Sequence, residues 1–276
     1  MGIITMKRNF LEKYRYSLIL LRELVITDFK LRYQGSALGY LWSLLRPLFL
    51  FVILYVVFVY FLKIGNGIAH WPVAMLLGIV LWNFFAEVTN QGLKSIVGSG
   101  GIIRKINFPK YVIVLATSAS AFINLLINLI VVAIFMVVNQ VELSWSILLL
   151  PFFIVEIFLF GVGLAFILGT AYVKFRDVNY IWEIIMQALF YGSAIIYPIS
   201  RVIDMSPVIA QVILFNPAAQ AVQDARAVAV SSELPTLYSV SGSVLMSLIP
   251  HLIVIVVLVC GAWLFKKRSP YFAEEV

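Results

Sequence analysis

Charge is scarce in this chain: 12% of its 276 residues are Asp, Glu, Lys or Arg, against about a quarter in soluble domains. That shortage excludes an ordinary water-soluble domain. Cysteine is scarcer still. Cys260 stands alone, so no internal disulfide can form, and its expected role is that of a small buried hydrophobe. The two histidines, His70 and His251, lie far apart in the sequence. With one cysteine and no His-x-x-x-His pattern, no metal site is expected. The glycines at Gly98, Gly100 and Gly101 lack the Walker spacing that ends in Gly-Lys-Ser/Thr, so they do not read as a phosphate cradle. No strand-turn-helix elbow carries a candidate nucleophilic serine. Outside the apolar runs, too little chain remains for a separate catalytic domain.

What the chain does have is hydrophobic length. Residues of the apolar class make up 63% of it, and the mean hydropathy is +1.03. Six long apolar segments run over 38–62, 73–97, 112–138, 147–173, 181–199 and 244–265. A helix needs about 20 residues to cross a bilayer core of about 30 Å. The pattern predicts an all-α polytopic membrane protein with six transmembrane helices in one domain over 1–276. Lys7 and Arg8 resemble the basic start of a signal peptide. Glu12, Lys13, Arg15, Arg22 and Glu23 interrupt the stretch after them, so the first span is expected to remain as an anchor.

The net charge of +7 is a matter of topology rather than nucleic-acid binding. With the N-terminus in the cytoplasm, 17 of the 20 basic residues fall on the inner side and only Lys63, Arg201 and Arg226 fall outside. Positive-inside counting therefore puts both termini in the cytoplasm.

Between the spans, residues 10–32 read as an amphipathic interfacial helix. Leu11, Tyr14, Leu18, Leu21 and Val25 share a face, and Arg15, Arg22, Lys30 and Arg32 supply charge. It is either an anchor or an anchor that also touches a cytoplasmic partner. In the loop 98–110, the apolar Ile102, Ile103, Ile106 and Phe108 surround Arg104 and Lys105. Such exposed hydrophobes need a partner or a lipid surface. Pro109 suits the start of the next helix. Lys174-Phe175-Arg176-Asp177 joins spans four and five, either as a solvated turn or as a docking element. The outer stretch 200–238 predicts short helices over 208–214 and 218–230, with Asn216 as N-cap and Pro217 in the first turn.

Charges inside the spans are few: Glu87 with Lys94 on the same face, Glu156 and Glu183. Asn124 and Asn128 are expected to bond neighbouring helices. Aromatic residues reach 14%. Trp42, Arg46 and Phe49 form a stripe in span one, and Phe51, Tyr55 and Phe58 another. Trp182, Met186, Phe190 and Tyr197 align in span five, beside Tyr180, Glu183, Gln187 and Tyr191. Such stripes are either packing and lipid contacts or a channel wall, because aromatic faces stack on the C–H faces of sugar rings. Arg46, next to Pro47, is either a positive-inside anchor or a cation that meets a lipid diphosphate.

Several segments carry a family likeness. Asp28-Phe29-Lys30-Leu31-Arg32-Tyr33-Gln34-Gly35-Ser36-Ala37-Leu38-Gly39-Tyr40-Leu41-Trp42-Ser43-Leu44-Leu45-Arg46-Pro47-Leu48 resembles the approach to span one in permeases of polysaccharide-exporting ABC transporters. That family includes O-antigen, capsule and wall teichoic acid exporters. Lys105-Ile106-Asn107-Phe108-Pro109, Phe175-Arg176-Asp177-Val178, Tyr197-Pro198 and Phe215-Asn216-Pro217 resemble later elements of the same family, in order.

The resemblance implies a homodimer in the bacterial inner membrane, with two separate ATPase subunits holding ATP and Mg. It implies an undecaprenyl-diphosphate-linked glycan as substrate, with membrane lipid and no nucleic acid as further surroundings. The coupling surface would comprise Ile102, Ile103, Arg104, Lys105, Ile106, Phe108, Arg176 and Asp177. Lys30, Arg32 and Arg46 would receive the lipid diphosphate. Trp42, Phe49, Tyr55, Phe58, Trp182, Phe190, Tyr191 and Tyr197 would line the channel, and the outer short helices would form a gate. A drug or small-lipid exporter of the same architecture is the alternative. A stand-alone ion-coupled carrier built on Glu87, Glu156 and Glu183 is another.

Overall fold

The computed structural model describes residues 17–28, 30, 39 and 41–276. Arg32 and residues 10–16 of the expected interfacial helix lie outside the described residues. Within that expected helix, 17–28 is helical (α1). Leu20 and Leu24 pack against the core, while Leu18 is exposed.

The remaining elements are all helical, with no strand among the described residues. They are α2 (Leu41–Leu54) with a π-helical continuation (Tyr55–Phe61), α3 (Trp71–Gly98), α4 (Gly100–Lys105), α5 (Tyr111–Val138), α6 (Leu150–Lys174) and α7 (Val178–Gly192). Four short helices come next: α8 (Ser200–Met205), α9 (Pro207–Leu214), α10 (Pro217–Ala229) and α11 (Leu237–Ser241). The chain closes with α12 (Val244–Arg268) and α13 (Phe272–Glu275). Proline near the start of α3, α6, α9 and α10 fits a helical first turn, where no N–H is required.

Five stretches are long and apolar enough to cross a membrane: Leu44–Phe61, Trp71–Gly98, Tyr111–Val138, Trp145–Lys174 and Val244–Glu275. The expected fifth span, 181–199, is helical only as far as Gly192, in the 15-residue α7, and ends in a turn. Helix α7 stops at Gly192, and Ala194 takes a left-handed φ of 53° that a continuing helix does not permit.

α3 is the hub. Its apolar window is 78% buried, whereas that of Leu44–Phe61 is 6% buried. Phe84 meets Phe122 of α5 at 6.0 Å and stacks on Phe158 of α6 at 6.2 Å. Phe85 stacks on Phe160 at 5.4 Å. Apolar packing alone gives little net drive for association in lipid, so close backbone approach matters. Glycines provide it. A Cβ at Gly169 would lie 3.0 Å from the Gly92 carbonyl, and one at Gly163 would lie 2.8 Å from the Leu258 Cα. These contacts set α3, α6 and α12 side by side in one direction, so their C-terminal ends share one end of the bundle.

Cys260 corrects the sequence expectation: it is exposed on the outer face of α12 rather than buried. Its neighbours Val256, Val259 and Trp263 are exposed too, which makes this an apolar flank.

Candidate transport path and coupling surfaces

The shared end of α3, α6 and α12 collects basic residues. Lys94, Arg104, Lys105, Lys174, Arg176, Lys266, Lys267 and Arg268 are exposed there. The helix α4 forms because Gly98 ends α3 and Ser99 restarts the chain as a new N-cap. It has two faces. Ile102, Arg104, Lys105 and Ile106 point outward, while Ile103 is buried. Phe108, just beyond it, is buried as well. Ile103 and Phe108 are therefore core contacts rather than the exposed hydrophobes expected from sequence. The turn after α6, from Lys174 to Asp177, is exposed throughout. Arg176 stacks over Tyr172 at 5.1 Å and Lys174 over Phe175 at 5.4 Å.

Along the bundle, α2 and α7 leave a face uncovered. Trp42, Arg46, Phe49 and Tyr55 are exposed on α2 and its π segment. Phe58 is half-buried, and Phe51 turns inward, edge-on to Phe135 at 5.5 Å. The helix widens to a π-helix over Tyr55–Phe61; such segments recur at functional sites. On α7 the two aromatic stripes separate. Tyr180, Glu183, Gln187 and Tyr191 are exposed, with Glu183 accepting from Asn179 at 2.8 Å. Trp182 and Met186 are buried in the core. Phe190 is half-buried, 5.9 Å from Trp82 and 5.4 Å from Tyr191. Tyr197 donates its hydroxyl to the Tyr191 carbonyl at 2.8 Å. The two expected channel positions Trp182 and Tyr191 thus lie in different surroundings. Lys30 is exposed on the helical N-terminal stretch.

The opposite end of the bundle is built by α8 to α11. Asn216 caps α10, accepting from the Ala218 N–H at 3.1 Å, as the sequence suggests. α10 inserts between α3, α6 and α12. Arg226 on it is fully buried. Its guanidinium donates to the carbonyls of Ala74 at 2.8 Å and Ala194 at 2.9 Å, and to that of Ile195. It also donates to the Gln223 amide oxygen and lies 5.3 Å from the Trp71 ring. Charge counting along the sequence places Arg226 merely among the outer cations. It satisfies the Ala194 and Ile195 carbonyls just past the end of α7 and the Ala74 carbonyl in the first turn of α3.

A second polar group is likewise not legible in the sequence as a set. Glu156 on α6 pairs with His251 Nδ1 on α12, and Asp224 on α10 accepts from the Gln220 side chain. Asp224, His251, Thr236, Tyr238 and Ser247 border a small cavity of about 220 Å³. Burial lifts the Asp224 carboxyl to about 6; the Gln220 bond opposes that rise and the nearby Glu156 charge adds to it. The intramembrane pairing expected at Asn124 is present. Asn124 donates to Glu87 at 2.7 Å, and Gln91 donates to the same oxygen at 2.8 Å; Asn128 instead donates to the Asn124 carbonyl within its own helix, not to a neighbouring one as the sequence suggests. Glu87 and Glu156 are thereby tied into inter-helix contacts.

Residues 19–230 match the family described as ABC-2 type transporter. The chain belongs to this family. It is 25% identical over 265 residues to the O-antigen export system permease protein RfbA of Myxococcus xanthus, covering 96% of this chain and 98% of that protein. It is 28% identical over 269 residues to a protein of the same description from Klebsiella pneumoniae, covering 95% of this chain and 98% of that one. It is 23% identical over 193 residues to the polysialic acid transport protein KpsM of Escherichia coli, covering 65% of this chain and 70% of that protein.

Proposed function

We propose that this chain is the membrane subunit of an ATP-driven exporter of a lipid-linked polysaccharide or teichoic acid. The family membership and the relatives' names support the transport class. The observation that carries the assignment is α4. It presents Ile102, Arg104, Lys105 and Ile106 outward at the basic end of the bundle, and none of the described residues covers them. An apolar and basic surface of that kind is suited to a protein partner. The partner is a separate ATPase subunit that holds ATP and Mg, and the exposed turn at Arg176 and Asp177 is its second contact. In this reading the α4 end and both termini face the cytoplasm of a bacterium, by the positive-inside rule.

A second copy of the chain would cover the open face of α2 and α7. Trp42, Phe49, Tyr55 and Tyr191 would then line the path between the copies, giving sugar rings flat faces to slide along. Phe58, Phe190 and Tyr197 would flank that wall, with Trp182 supporting it from behind. Lys30, Arg32 and Arg46 would receive the lipid diphosphate, because paired cations match its charge. The short helices at the other end would gate the exit.

The test is to purify the chain alone and with a co-expressed candidate ATPase. The expected result is ATP turnover only by the pair, and a stable complex lost when Ile102 and Ile106 are both changed to aspartate. ATP hydrolysis by the chain alone would refute the division of labour.

A further inference from the structure

A six-residue helix cannot hold its own orientation. Isolated helices shorter than about 12 residues are marginal even with good sequences. α4 also follows Gly98, contains Gly101, and ends in extended backbone at Ile106. Its angle must therefore be set by what packs behind it.

Part of that backing comes from the far end of the chain. Ser269-Pro270-Tyr271 forms a 3-10 turn after α12, and the Ser269 hydroxyl donates to the Lys266 carbonyl at 3.2 Å. Pro270 cannot extend the α-helical ladder, so the chain bends there. The bend carries α13 back beneath the bundle. Phe272 is fully buried, edge-on to Phe265 at 5.2 Å. Phe265 packs on Phe166 of α6 at 4.9 Å. Val276 then rests on Gly100, the first residue of α4. A Cβ at Gly100 would overlap a Val276 methyl group, although it would stay 3.6 Å from the Val276 Cβ. Gly100 is thus the seat for Val276, and Ile103 provides the other inward contact.

We propose that the segment Phe272–Val276 is a strut that seats α4 and makes it move as one body with α6 and α12. Phe272 anchors the strut and Val276 meets the load. Both are positioning residues for coupling, since neither touches the outward face of α4. The role rests on the reading that α4 receives the ATPase. A push on Ile102 or Ile106 would then be carried through Gly100 and Val276 to the Phe272, Phe265 and Phe166 rings. From there it would reach the tight Gly163 seam between α6 and α12.

The test uses the full chain in complex with its ATPase. ATP hydrolysis is measured on the purified complex in liposomes. Surface polysaccharide is measured on source cells whose own copy has been replaced. Gly100→Ala adds one methyl group and raises helix propensity, so a defect cannot come from weaker helix formation. It is expected to lower the ratio of surface polysaccharide to ATP hydrolysis by at least about fivefold, the low end of ordinary site-to-site coupling. ATPase binding should be unchanged. Gly100→Ala combined with Val276→Ala removes both Val276 methyl groups, including the one that the added Cβ would overlap, and is expected to restore the ratio.

A wild-type ratio for Gly100→Ala, or a double variant no better than the single, would overturn the strut. If Gly100→Ala does not accumulate, Val276→Ala alone decides, since it adds no atom; an unchanged ratio there overturns the proposal. Failure of the unaltered chain to bind the ATPase would instead overturn the permease reading.

Discussion

The guanidinium of Arg226 occupies the space that a side chain at Gly78 would need. Its bonds to Ala74, Ala194 and Ile195 tie α10 to the start of α3 and to the broken end of α7. A buried donor set of this kind is costly to disturb, because each carbonyl left unmet costs about 1–3 kcal/mol. Arg226→Ala is therefore expected to cost several kcal/mol and to abolish accumulation of folded protein. Gly78→Ala should be nearly as severe, since it expels the same group. Arg226→Lys should recover little, because an ammonium cannot span carbonyls arranged for a planar fork. Fluorescence-detected gel filtration of tagged variants reads all three outcomes.

The α6–α12 seam gives a second expectation. Gly261 lies under the Gly163 carbonyl, and Gly163 meets the backbone at Leu258. Gly163→Leu and Gly261→Leu should separate the helices and lower the thermal midpoint in detergent, by an amount equivalent to about 1–3 kcal/mol of overpacking. Gly192 has nothing within 4 Å of an added Cβ. Gly192→Ala should leave the midpoint within about 0.5 kcal/mol equivalent, as for ordinary exposed positions.

Aromatic substitutions should divide by exposure. Trp182 is buried and Tyr191 is exposed. Trp182→Ala is expected to destabilise the protein by about 3–5 kcal/mol, as other buried Trp truncations do. Tyr55→Ala and Tyr191→Ala should leave the melting curve unchanged while reducing surface polysaccharide at equal expression. Unimpaired export by the Tyr55 and Tyr191 double variant would count against a sugar-guiding wall.

Acidity should favour the fold through Asp224. A carboxyl whose pKa is raised on folding, here from 3.8 to about 6, binds its proton more tightly in the folded state. Its contribution is most favourable below the ordinary value near 4. It is lost as pH rises through about 6 and is constant above that. The thermal midpoint of the unaltered protein should therefore be higher at pH 5 than at pH 7.5. Asp224→Asn removes this titration and should shrink the difference, as differential scanning fluorimetry at the two values would register.

Hydrophobic runs and charge spacing determined the class of this protein. Twenty-residue apolar stretches have few folded solutions in water, and basic residues at their edges mark one side by simple counting. Local chemistry was equally legible: the Asn216 cap and the Pro217 start of α10 depend on neighbours within three residues. Tertiary structure alone decided the rest, because burial depends on which helix comes alongside. It split Trp182 from Tyr191 on one helix and turned Ile103 and Phe108 inward. It left Cys260 on the outer flank and stopped the fifth apolar run at Gly192. It also joined Arg226 to carbonyls some 30 and 150 residues away, and Val276 to Gly100. Those pairings rest on backbones brought close by glycines, and a chain read in one dimension carries no record of which glycine faces which neighbour.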